Sequence, residues 1–98
     1  MSEEHAVVLL LTVELGIPHA QSLKQKRSAV KGLKDRIRSR FNASVAEVGH
    51  LDKWQRAVLA AALVGSDRRH LESEAARLRQ LCEEAPDMQI AWIDQEWL

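Results

Sequence analysis

A single cysteine in 98 residues excludes an internal disulfide, and no Cys/His pair has the spacing of a zinc site. Cys82 stands at helical spacing from Leu71, Ala75 and Leu78, which reads as a buried structural thiol. Aromatic residues are scarce, with three Trp, one Phe and no Tyr. No apolar run approaches the ~20 residues that span a bilayer. The N-terminal "MSEEHAVVLLLTVEL" is acidic before its apolar run and has no small-residue cleavage site, so a cytoplasmic location is expected. No Gly-rich phosphate loop, Ser/His/Asp arrangement or H-E-x-x-H is present, and neither a catalytic residue, a metal site nor a cofactor is expected. Net charge is lacking too: 14 basic residues balance 14 acidic ones.

The charges that are present are unevenly placed. Between Ser22 and Arg40 lie Lys24, Lys26, Arg27, Lys31, Lys34, Arg36, Arg38 and Arg40 against the single acid Asp35. From Leu81 to Leu98 come Glu83, Glu84, Asp87, Asp94 and Glu96, with no Lys or Arg. Such asymmetry suits a polyanion contact, or two oppositely charged surfaces that neutralise each other in a dimer.

The pattern along the chain is β-α-β-β-α-β. Ala6 to Leu15 is β-rich and stops at the turn signal Gly16-Ile17-Pro18. Its nearly continuous apolarity suggests a central strand covered on both faces for most of its length. Ser22 and Gln25 form an S-x-x-Q capping box that opens a helix with Leu23, Val30, Leu33, Ile37 and Phe41 on its apolar stripe. Gly32, mid-helix, suggests close packing. Asn42 to Gly49 alternates as a strand, His50 to Lys53 makes a hairpin connection, and Trp54 to Gly65 returns as a second central strand. Ser66 or Asp67 caps a second helix with Leu71, Ala75, Leu78, Leu81, Cys82 and Ala85 inward, and Pro86 stops it. Asp87 to Leu98 is the last strand. The expected fold is α+β: one domain over residues 1–98, a ferredoxin-like βαββαβ sandwich with a four-stranded antiparallel sheet and two helices on one face. The other face would be bare and apolar, which favours a homodimer.

Two constellations could carry function. On the first helix Lys24, Arg27, Lys31, Lys34 and Arg38 fall in a stripe about 80° wide and roughly 20 Å long, and Lys26 crowds the same first turn. Aligned cations repel one another, so the stripe suits RNA or another anion; a solvated basic face is the plain alternative. The sheet lacks the central aromatics of base-stacking readers and no G-x-x-G loop occurs, so any RNA contact would be phosphate-directed. The second constellation is the hairpin, where Glu47, His50, Asp52, Trp54, Gln55 and Arg56 come close together. His50 and Asp52 could ligate or move protons. The plainer reading has Asp52 capping the turn and Trp54 anchoring it.

The segments S-L-K-x-K-R (Ser22 to Arg27), R-F-N-x-S-V-A-E-V (Arg40 to Val48), W-Q-R-A (Trp54 to Ala57) and S-D-R-R-H (Ser66 to His70) are long and ungapped. With them the chain resembles the YlxP-like family of small bacterial proteins, a domain of unknown function. The resemblance implies a ferredoxin-like fold and, through the transcription, translation and ribosome-maturation genes that often neighbour members, a role around RNA or the ribosome. Gly49 departs from the acidic residue usual after Val48. The reading is a non-enzymatic accessory factor contacting RNA or the ribosome through the first helix. The alternative is a dimeric protein-interaction or ligand-sensing module without nucleic-acid binding. An acylphosphatase-like hydrolase is disfavoured, because Gly16 to Ala20 offers no arginine to hold phosphate.

Overall fold

A computed structural model describes residues 5–98. The elements are β1 (Val7–Gly16), α1 (Leu23–Arg40), β2 (Ala43–Gly49), β3 (Arg56–Gly65), α2 (Arg68–Glu83) and β4 (Gln89–Trp97). They form one antiparallel sheet in the order β2-β3-β1-β4, with β1 and β3 central as the apolar runs require. Successive side chains of a strand point to opposite faces. Leu9, Leu11, Val13 and Leu15 of β1 and Ala57, Leu59, Ala61 and Leu63 of β3 are therefore buried together, under Val30, Leu33 and Ile37 of α1 and Leu71, Ala75 and Leu78 of α2. Both helices cover that one face. The alternate row, Val8, Leu10 and Thr12 with Val58, Ala60 and Ala62, stays half-buried on an open face that this chain does not cover.

Local chemistry sets the ends of the helices. Ser22 Oγ accepts from the Gln25 N–H at 3.0 Å, whereas Gln25 Oε1 reaches one residue beyond the expected capping box and accepts from the Gln21 N–H at 2.6 Å. Asp67, of the two candidates, caps α2 by accepting from the Arg69 N–H at 3.0 Å. Cys82 is fully buried, and desolvation pushes its thiol up to about 11, so it is inert packing.

Gly32 corrects an expectation. Nothing lies within 4 Å of where its Cβ would stand, and the position is exposed, so no close packing calls for glycine there. Gly32→Ala removes backbone entropy from the unfolded chain without a clash. It should stabilise the protein by roughly 0.5–1 kcal/mol. A denaturation midpoint at or below that of the parent would contradict this.

Candidate functional site

Seven of the eight α1 cations stay out of the core; Lys26 does not. It lies four residues before Val30 and seven before Leu33, on the core-facing stripe, and has 0% exposure. Its Nζ donates to Glu47 Oε2 at 2.7 Å, to the His50 carbonyl at 2.9 Å, and at longer range to the Leu51 and Arg56 carbonyls at 3.3 and 3.4 Å. One ammonium thus ties the first turn of α1 to the loop between β2 and β3, and that loop's inward carbonyls need it. Lys26 is therefore withdrawn from the set expected to meet an anion. The signal was its 4-3-4 spacing with Val30, Leu33 and Ile37, which makes it a core position occupied by a charge.

His50 joins this contact to a second one on the open face. Its φ of 54° turns the chain so that the carbonyl points to Lys26 while the ring goes the other way. There His50 Nε2 lies 3.1 Å from Glu14 Oε1, and Arg56 Nη2 donates to Glu14 Oε2 at 2.6 Å. Glu14 belongs to neither constellation read from the sequence. It is the lone acid of β1 and its side chain is 9% exposed, so it needs these partners. The hydrogen bond from Arg56 above all, helped by His50 and the Trp92 indole, holds its carboxyl below the ordinary value of 4.5. A depressed carboxyl contributes stability that is present above the unfolded pKa and fades as pH falls through the folded one. Glu14→Gln should therefore lose less of its thermal midpoint than the parent between about pH 5 and pH 3. Parallel acid limbs would show that the pair contributes nothing.

The structure divides the hairpin residues between the two faces of the sheet. Glu47, His50 and Arg56 belong to the cluster, but Glu47 faces the helices while His50 and Arg56 meet Glu14 on the open face. Asp52 and Trp54 lie exposed in the loop, Trp54 at 53%, so Trp54 is not an anchor. β3 begins at Arg56 rather than Trp54, because Gln55 is used to close the loop. Its carbonyl accepts from the Ile17 N–H at 2.8 Å, and its side chain donates to the Pro18 and Ala20 carbonyls. The ladder shifts by one residue between Glu47 and Gly49, and a Cβ on Gly49 would stand 3.0 Å from Val58. That close approach is a physical reason for glycine in the bulge. Among the described residues no group of three or more His, Cys, Asp and Glu is gathered to hold a metal.

The remaining stripe residues keep their places on α1. Lys24, Arg27, Lys31 and Arg38 are exposed and Lys34 is half-buried. They flank the β2 edge of the sheet, where Arg38 Nη2 donates to the Val45 carbonyl at 3.1 Å. Asp35 interrupts the field, with Lys31 at 2.7 Å and Arg38 at 3.7 Å, and Lys31 holds its carboxyl below the usual range. The stripe is thus five cations with one acid among them.

Comparison with known proteins places the chain. The family described as "Protein of unknown function (DUF503)" matches residues 8–95. "Uncharacterized protein YlxP" of Bacillus subtilis is 35% identical over 78 residues, which cover 80% of this chain and 85% of that one. Among solved structures, "De novo designed protein Foldit4" superposes with a TM-score of 0.54 at 11% identity, over 96% of this chain and 97% of the other. At that identity the likeness is one of fold alone.

Proposed function

This chain belongs to the DUF503 family, and from that premise, which carries no activity, we propose that it is a non-catalytic factor that binds the phosphate backbone of structured RNA, alone or in the ribosome, through the outer flank of α1. The carrying observation is the row Lys24, Arg27, Lys31, Lys34 and Arg38, exposed except for the half-buried Lys34, along the flank of α1 beside the β2 edge with only Asp35 among them. Cations at the start of a helix oppose its dipole, and no core contact of Lys24 or Arg27 offsets that cost. An anion would, since the helix end adds its own positive field. A site of this kind reads charge and shape rather than base sequence. Among the described residues no helix is long and apolar enough to cross a membrane. Ultraviolet crosslinking in cells, with peptide mapping of the adducts, tests the proposal. Adducts on Leu23–Arg40 support it; RNA recovery no higher than for a protein without RNA affinity overturns it.

A second reading is a homodimer that covers the open face. Val48, Val64, Trp92 and Leu98 stand more than two-fifths exposed there, next to the half-buried Val8, Leu10, Ala60 and Ala62. Sedimentation at micromolar concentration should show about twice the 11.1 kDa chain mass. A monomer at millimolar concentration would exclude it.

A further inference from the structure

The two edges of the sheet are treated differently, and the contrast concerns a partner other than RNA. At β2 the Arg38 guanidinium occupies the Val45 carbonyl, and a charge seated on an edge discourages strand addition. At β4 no such cover exists among the described contacts. The Leu98 N–H donates to the Val8 carbonyl at 2.9 Å, which fixes the alternation along this strand. Glu96 and Asp94 turn their main-chain groups towards β1, so Trp97, Gln95 and Ile93 turn theirs outward, unpaired. Beside this edge, between β4 and α2, runs a groove of about 470 Å³. Its lining is mixed: Leu11, Ala75, Ala76, Ile93 and Trp97 are apolar, and Glu72, Arg79, Asp94 and Gln95 are polar or charged. It continues past Ile93 and Arg79 into a second hollow of about 650 Å³ along the same strand. Arg68 stacks over the Trp97 ring at 5.0 Å and steadies that wall.

We infer that β4 is a docking edge for an extended segment of another protein, one that alternates apolar residues with Lys or Arg. An added strand would bond to Ile93, Gln95 and Trp97 and send every second side chain into the groove. Its intervening side chains would emerge on the open face beside Asp94 and Glu96, in a strand that contains no Lys or Arg. The apolar half of the pattern is set by Ile93, Trp97 and the alanines of α2 on the groove side, and the basic half by Asp94 and Glu96. A second copy of this chain is the wrong occupant. Laid antiparallel on the same edge, it would bring Asp94 and Glu96 against their own counterparts.

The test uses the full chain and an acetylated peptide of about seven residues alternating valine with lysine. Its cationic charge also keeps it away from the α1 flank. It should bind about tenfold or more tightly than a valine–glutamate peptide, and Asp94→Lys/Glu96→Lys should invert that order. Binding should slow amide exchange at Ile93, Gln95 and Trp97. Gln95→Pro should abolish it, since that N–H points outward and is not used within the chain. Peptide N-methylated at alternate residues should fail to bind the unaltered protein, which makes the same point with no change to the fold. Equal affinity for the N-methylated peptide, a preference for the acidic peptide, slowed exchange confined to another element, or no binding at millimolar peptide would each overturn the inference.

Discussion

Lys26→Met should destabilise the protein by about 3–5 kcal/mol, the usual consequence of removing one partner from a buried ion pair. The methionine replaces the lysine stem well enough, so the loss is not mainly one of packing. What remains is Glu47, 13% exposed, with no counter-charge, and the carbonyls of Leu51 and Arg56 without their shared donor, while the His50 carbonyl still accepts from the Lys53 N–H at 3.0 Å. Each unpaired buried acceptor costs about 1–3 kcal/mol, although the loop can relax and admit water to part of it. Pairing the change with Glu47→Leu should recover only a fraction, because the Leu51 and Arg56 carbonyls still lack the ammonium. Urea denaturation reads both variants. A loss under about 1 kcal/mol for Lys26→Met would mean that the loop holds its shape without the ammonium.

The second large effect concerns RNA. Lys24→Glu/Arg27→Glu/Lys34→Glu removes three cations of the flank and leaves the Lys31–Asp35–Arg38 ladder intact. Lys31 is spared because a glutamate there would face Asp35 one turn away and confuse repulsion within the helix with loss of binding. Near 0.1 M salt each lost phosphate contact is worth about 1 kcal/mol of counterion release, so affinity should fall by roughly 10²–10³-fold. The thermal midpoint should hold or rise slightly, since acids in the first turn suit the dipole and a glutamate at position 34 stands four residues before Arg38. A triple variant that binds RNA as the parent does would reduce the flank to a solvated face.

Periodicity accounts for most of what was legible in advance. The alternation in β1 and β3 and the 3-4 spacing in α1 and α2 each specify a buried face, and a one-residue slip would expose it. What stayed hidden depends on contacts between distant segments. Lys26 and Glu47 are 21 residues apart, and Glu14 and Arg56 are 42 apart. No local pattern pairs them, although a charge at a core position and a lone acid in an apolar strand each signal that some partner must exist. The Asp52 and Trp54 roles failed for a related reason. The turn is closed by its own Lys53 N–H to His50 carbonyl bond and held from outside by Lys26 and Ile17, and needs neither a side-chain cap nor an aromatic anchor.

The central claim is a phosphate-directed contact along α1, and the salt dependence of RNA affinity tests it most directly. Lys24, Arg27 and Lys34 act in full and Lys31 and Arg38 share Asp35, which gives about four effective contacts and a slope of log affinity against log salt of roughly −3 to −3.6. The triple variant should show a slope of about −1 or shallower. Equal slopes for the two proteins, or an affinity for structured RNA that does not change with salt, would contradict the account.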